Sequence, residues 1–282
     1  EANGALARDV SGDEVHSLVE ALQPGEILVL ENVRFYKEEE GKGCTEEEQE
    51  TFAKTLASYG DVYVSDAFGT AHRAHASMAV ITKYMDTCAA GFLLEKEIAY
   101  LGKVLEAPAQ PFVAIIGGAK ISGKIDVIVN LMDKCQTILI GGGMAYTFYA
   151  AQGLQIGDSL LEADKVELAR EILHQAKEKG VNLLLPVDHI VADAFSAEAQ
   201  TKEIEGEIEA GWMALDIGPK TAALYSEAVA TAKTVVWNGP MGCFEMAPFA
   251  NGTNSVCAAV AASDSVSIIG GGDSVAAVKA AG

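Results

Sequence analysis

The sequence predicts an α/β protein made of two doubly wound, mostly parallel-sheet (Rossmann-like) domains joined by a helix and hinge, and three observations carry that reading. Apolar runs of strand length alternate with amphipathic helical stretches along the 282 residues, the pattern of β-α units whose sheet is covered on both faces. Most of these runs end in glycine, proline or a polar turn residue, where a strand would hand over to a loop. Apolar residues make up 50% of the chain, and at about 150 residues per domain the length accommodates two cores.

Taken in order, EILVLE and DVYVSD are the strand-like segments of the first part. Between them lies TEEEQETFAKTLASYG, where Thr45 and Glu48 have capping-box spacing, so a helix is expected from there to about Ser58. LEKEIAYLGKVLEAPAQP reads as a helix closed by Pro108 and Pro111, two residues that stop a helix and mark a boundary. The expected division is a partial first domain over 1–93, a connecting helix over 94–107 and a second domain over 108–282. PFVAIIGG, QTILIGGG, NLLLPVD, TVVWNGP and VSIIGGG supply five strands for a second sheet.

Composition narrows the function classes. Acidic residues outnumber basic ones by 40 to 20, a formal net charge of −20, which argues against nucleic acid as a partner. The acidic runs at 38–40 and 46–48 read as solvated surface. Cys44, Cys88, Cys135, Cys243 and Cys257 are widely spaced and form no C-x-x-C pair, which fits a reducing compartment. No formal charge lies between Lys134 and Asp158, yet Gly141, Gly142 and Gly143 interrupt that stretch, so it reads as strand, turn and helix rather than a membrane span.

In open parallel sheets, ligands bind beyond the carboxyl ends of the strands. The second part carries four glycine-rich corners there: IIGGAK, ILIGGGMAY, VVWNGPMG and SIIGGGDS. Glycine lets backbone N–H groups approach a phosphate and a following helix adds its positive end, so the cluster suggests a nucleotide. IIGGAKISGKID spaces Lys120 and Lys124 four apart, on one face if a helix begins there, so that two ammonium groups converge on one anion. Gly118, Gly123 and Lys124 also satisfy part of a P-loop, but Ile125 stands where a hydroxyl must hold magnesium. The dinucleotide fingerprint fails at Tyr146 and Val275. Asp273, at a helix start, is either an N-cap or a carboxylate that reaches nucleotide-bound magnesium.

Two of the four arginines follow strands in the first part, Arg34 in LENVRF and Arg73 in AFGTAHRAHAS. A guanidinium fork matches carboxylate and phosphate oxygens, which suggests a small anionic substrate. Arg8 and Arg170 read as surface charges, and His72 and His75, lacking the H-E-x-x-H pattern, as hydrogen-bonding or packing residues.

The segments LENVRF, DAFGTAHRAHAS, GGAKISGKI, GGGMAYTF, LPVDHIVAD, WNGPMGCFE and IIGGGDSVAA, in this order, resemble motifs of the phosphoglycerate kinase family. The resemblance implies an N-terminal domain for 3-phosphoglycerate or 1,3-bisphosphoglycerate and a C-terminal domain for Mg²⁺ with ADP or ATP. It implies reversible phosphoryl transfer in glycolysis, or in reverse in carbon fixation and gluconeogenesis, by a hinge-bending monomer of the cytoplasm or plastid stroma without nucleic-acid or membrane partners. It further implies that Arg34 and Arg73 grip phosphoglycerate, Lys120 follows the moving phosphoryl group, Lys124 holds the nucleotide phosphates and Glu245 contacts the ribose. Gly271, Gly272, Asp273 and Ser274 match the phosphate and magnesium corner, with Asp273 toward the metal, while Gly118, Gly142 and Gly143 match the adenine pocket. Ala214 departs from the glycine many members have. The family's Asp-x-Asn, HLGRP-like and STGGG-like segments do not occur in the chain, so as it stands it is expected to bind ADP without turning over. The competing classes are a P-loop ATPase and a nucleotide-binding protein without catalysis; Lys120, Arg34 and Arg73 favour the kinase, because pure binding needs no charge at the transfer point.

Overall fold

The computed structural model describes residues 4–282, and its contacts divide into two units, one up to Gly102 and one from Lys103. In the first unit, β1 (Gly4–Leu6), α1 (Asp13–Ala21) and β2 (Ile27–Val29) form a right-sized β-α-β step, with β1 and β2 parallel and Gly4 opposite Ile27. After α2 (Lys37–Glu40) and α3 (Glu46–Ala57), β3 (Tyr63–Ser65) pairs in parallel with β4 (Cys88–Ala90). Each strand has only three residues, shorter than the apolar runs suggest. Ile27, Val29 and Val64 stay more than half exposed, so a high strand propensity goes without the packed face that would extend it.

Helix α3 begins as its sequence requires. The Thr45 hydroxyl accepts the Glu48 N–H (3.2 Å) and the Glu48 carboxylate accepts the Thr45 N–H (2.7 Å), both arms of a capping box. Its inner face contributes Phe52 and Ala53 to a small core with Val10, Ala76 and Val80. The long helix α4 (Phe92–Glu106) follows, and the divide between the units falls within it.

The second unit is β5 (Phe112–Ile116), α5 (Ile125–Leu131), β6 (Thr137–Ile140), α6 (Ala145–Ala151), α7 (Val166–Glu178), β7 (Asn182–Leu184), β8 (Asp188–Ala192), β9 (Thr201–Glu205), β10 (Met213–Ile217), α8 (Pro219–Ala230), β11 (Thr234–Asn238), α9 (Asn251–Ala262), β12 (Val266–Gly270) and α10 (Gly272–Ala281). The five expected strands form one parallel sheet in the order β12-β11-β5-β6-β7. Its central strand β5 is buried at every position, which is why it reads as an unbroken apolar run. Phe112, Ala114 and Ile116 face one core with Ile128, Phe148 and Ile172, whereas Val113 and Ile115 face another with Tyr225, Val229 and Val256. Helices therefore cover both faces.

A second sheet, antiparallel in the order β10-β8-β9, is absent from the sequence reading. Its outer strand, TKEIE, alternates exposed and half-buried positions and lacks an apolar run. The uncharged stretch before Asp158 contains α6, buried at six of its seven positions. Among the described residues no helix is long and apolar enough to cross a membrane.

Candidate active site

The glycine corners after β5, β6 and β11 are stitched to one another through the backbone. Gly117 N–H donates to the Asn238 carbonyl (2.9 Å), Gly118 N–H to Pro240 (3.0 Å), Gly142 N–H to Met241 (2.8 Å) and Met144 N–H to Gly118 (3.1 Å). Such close approach has no room for side chains. A Cβ on Gly117 or Gly239 would collide with the other corner's backbone, and one on Gly142 would stand 2.6 Å from the Gly118 nitrogen. Gly118 and Gly272 are different, since no atom lies within 4 Å of where their Cβ would be. The sequence cannot separate these two uses of glycine; the structure assigns some to packing and leaves others facing open space.

These corners frame a cavity of about 510 Å³. One side is apolar, with Tyr146, Leu160, Phe195, Met213, Leu215 and Met241, and the polar groups are Asp158, Asp216, Cys243, Glu245 and Asp273. Of the residues singled out from sequence, Gly118, Gly142, Gly143, Glu245 and Asp273 line this space, as does Ala214. Glu245 and Asp273 are exposed carboxylates at its edge.

Lys120 and Lys124 do not share a helical face, because α5 begins only at Ile125 and Lys124 is its N-cap. Lys120 is exposed on the preceding loop, while Lys124 is half-buried. Burial lowers the Lys124 pKa, and the Asp273 carboxylate acts in the opposite direction. An incompletely compensated ammonium of this kind favours an incoming anion. The loop between the lysines is held from outside by Glu162, whose carboxylate accepts the Ser122 N–H (3.1 Å). Burial works against ionisation of Glu162, but hydrogen bonds from Ser122 and Ile121, with the Lys120 charge, keep its pKa below the usual value. Only an acidic residue 40 positions away in sequence could have signalled this contact, and no local pattern does.

Gly271, with φ 89°, is the N-cap of α10 and places Gly272 and Asp273 in its first turn. The N-cap is therefore Gly271 and not Asp273, which lies in the first turn. Ser274 is fully buried, and its Oγ accepts the Gly239 N–H (2.6 Å), tying α10 to the β11 corner. Asp216 is the buried acid at the cavity, and its carboxylate accepts N–H groups from Ile217 (2.9 Å) and Gly252 (2.7 Å). Burial outweighs those donors and pushes its pKa up to about 7.

In the first unit, Arg34 lies in a 3-10 turn (Val33–Phe35) after β2 and Arg73 on the segment after β3, strands of two separate pairs. Arg34 Nε donates to Glu40 (2.9 Å), and Lys42 Nζ contacts the same carboxylate (2.9 Å). Lys42 and Arg34 together hold the Glu40 pKa at about 2. Arg73 is exposed, and no side-chain partner of its guanidinium is found among the described residues. Just beyond it, buried His75 lies 3.5 Å from the Glu39 carboxylate, which also accepts the Ser77 N–H (2.9 Å) and hydroxyl (2.6 Å). That cluster fixes the chain on which Arg73 is carried.

Comparison with known proteins gives a consistent picture. A family model described as phosphoglycerate kinase matches residues 2–282. The phosphoglycerate kinase of Acidobacterium capsulatum is 57% identical over 99% of this chain and 69% of its own length. That of Clostridium botulinum is 54% identical over 97% of this chain and 68% of its own. Among solved structures, phosphoglycerate kinase from Coxiella burnetii superposes with a TM-score of 0.81 at 40% identity, over 99% of this chain and 69% of that one. The enzyme from Pyrococcus horikoshii OT3 gives 0.85 at 32% identity, over 100% and 71%.

Proposed function

The chain belongs to the phosphoglycerate kinase family and carries its phosphotransferase function, and we propose that ADP or ATP seats its base in the cavity framed by the β5, β6 and β11 corners. The observation that carries this assignment is the cavity itself: an apolar wall with two exposed carboxylates and the open Gly118 in its lining, one of those carboxylates, Asp273, lying near enough to half-buried Lys124 to act on its charge. The base packs against Tyr146, Leu160 and Phe195, and Glu245 reaches the ribose. The phosphates run toward Gly271 and Gly272, where the N-terminal N–H groups of α10 carry the positive end of its dipole, and toward Lys124. Ser274 acts one step removed, by holding Gly239.

In the forward reaction an oxygen of the ADP β-phosphate attacks the acyl phosphoryl group, and the carboxylate of 3-phosphoglycerate leaves with the bonding electrons. No covalent enzyme intermediate is needed, because the acyl phosphate is already activated. The protein's task is to align donor and acceptor and to neutralise moving charge, which Lys120 does from its exposed loop. Arg34 and Arg73 bind phosphoglycerate, Arg34 exchanging its contact with Glu40 for one with the substrate. Asp273 fits Mg²⁺, a hard cation bound through one or two carboxylates plus nucleotide phosphates; when bound it would offset phosphate charge. The enzyme acts as a monomer in a reducing compartment such as the cytoplasm, in keeping with its five free cysteines.

Titration of the chain with Mg-ADP by calorimetry tests the seat of the nucleotide, and 3-phosphoglycerate-dependent formation of ADP from ATP by the full-length protein tests the reaction. ADP binding that survives unchanged when Glu245, Lys124 and Asp273 are replaced together would refute the seat.

A further inference from the structure

Behind the cavity lies a chain of polar side chains that has no role in the reaction outlined above. Tyr146 and Tyr149 are one turn apart on α6, His189 is on β8, and all three are buried. The Tyr146 hydroxyl is 3.1 Å from His189 Nδ1, and His189 Nε2 is 3.1 Å from the Tyr149 hydroxyl, which donates to the Pro186 carbonyl. The Pro186 carbonyl can only accept, and this sets the order of protons from the Tyr149 end of the chain. The Tyr149 hydrogen points to Pro186, so its oxygen accepts the His189 Nε2–H; Nδ1 is then bare, and the Tyr146 hydroxyl must donate to it. Burial lowers the His189 pKa to about 4 against the opposing effects of the Asp188 charge and the Gly206 backbone, so the ring is neutral at ordinary pH.

The rings are also locked by packing. The His189 ring meets Tyr146 at 5.4 Å and 60°, and Tyr149 at 5.2 Å and 78°, both edge-on arrangements. Of the three, only Tyr146 lines the cavity. It stands at the second position of α6, close after the glycine corner, with its hydroxyl held by buried His189. Three apolar side chains would fill the same volume without any desolvation to offset, so the polar chain is best explained by what it does to Tyr146.

We propose that His189 is a positioning residue for nucleotide binding: by accepting the Tyr146 hydroxyl at Nδ1 it fixes the Tyr146 ring as a preformed wall of the base site. This rests on the assignment of the base to that cavity. A ring already held in place has less freedom to lose when ligand arrives, which raises affinity without any direct contact from His189.

The test is calorimetry with Mg-ADP on the chain and on the variants His189→Phe, His189→Gln and Tyr146→Phe, with ¹⁵N NMR of His189. His189→Phe keeps the volume but removes the acceptor, and should weaken Mg-ADP binding about fivefold to tenfold, the scale of one buried hydrogen bond. Glutamine can donate on one side and accept on the other, so His189→Gln should restore most of that loss. Tyr146→Phe cuts the same bond from the other end and should also weaken binding, which keeps the test decisive if His189→Phe does not fold. The NMR signature should be that of a neutral ring protonated at Nε2. Folded His189→Phe with wild-type affinity, a glutamine variant as weak as the phenylalanine one, or a proton on Nδ1 would each overturn the proposal while leaving the cavity assignment intact. Failure of the wild-type chain to bind Mg-ADP would instead remove the assignment, and the proposal with it.

Discussion

Replacing Ser274 by alanine separates two readings of one hydroxyl. The family resemblance puts Ser274 in the phosphate corner, but its Oγ is fully buried and accepts the Gly239 N–H at 2.6 Å. Alanine would leave that N–H without its acceptor, beside the tight contact between Gly239 and Gly117 where no side chain could move in to replace it. A buried donor left unsatisfied costs about 1–3 kcal/mol. For a unit of this size each kcal/mol lowers Tm by roughly 2–4 °C, so Ser274→Ala should melt about 2–12 °C lower in a thermal scan. Mg-ADP affinity measured well below the transition should change by no more than about threefold, less than the loss of one charge-assisted contact. Ser274→Thr retains the acceptor and serves as the control. An unchanged Tm together with a loss of ADP affinity above about tenfold would show that the hydroxyl serves the ligand, and would refute the tie to Gly239.

Other outcomes can be checked alongside. In the full-length enzyme, Lys120→Ala should lower kcat by at least ~10²-fold with little change in ADP affinity, as steady-state kinetics and calorimetry would show, because its charge is needed mainly in the transition state. Arg34→Ala and Arg73→Ala should each weaken 3-phosphoglycerate binding by roughly 1.5–3 kcal/mol and spare ADP, and loss of ADP binding in both would contradict the division of roles. The Asp216 pKa is raised from 3.8 to about 7 in the folded chain. Between those values the folded state therefore holds a proton that the unfolded state has released. Its contribution to stability is complete below the lower value and lost as pH approaches the upper one. Denaturant titrations across that window should show the decline, and Asp216→Asn should flatten it.

How much was legible in the sequence depended on whether the cause was local. The parallel sheet announced itself because each of its strands is an apolar run closed by a turn signal, and the α3 capping box because Thr45 and Glu48 are three residues apart. The antiparallel sheet stayed hidden. TKEIE buries one side only, so neither hydropathy nor length distinguishes it from a polar loop, and its partner DHIVA runs straight on from the β7 segment. In the first unit, EILVLE and DVYVSD do contain strands, but only three residues of each find a partner.

The site divides along the same line. Glycine-rich corners at strand ends correctly pointed to one edge of one sheet, yet the residues that shape the cavity wall, Tyr146, Leu160, Phe195 and Met213, come from α6, two loops and the antiparallel sheet. Nothing in the spacing of apolar residues distinguishes a wall from a core. The two lysines show the limit most clearly. Their four-residue spacing suggested a shared helical face, but a helix starting at Ile125 leaves Lys120 on a loop that must take its shape from elsewhere. Glu162 supplies that shape by accepting Ser122 N–H from outside the loop. The chemistry proposed for the lysines comes from their own neighbourhood, while the shape of the loop between them involves a carboxylate that the sequence keeps far away. Loops that carry charge to a reacting group have few contacts of their own, so long-range contacts such as this one must hold them.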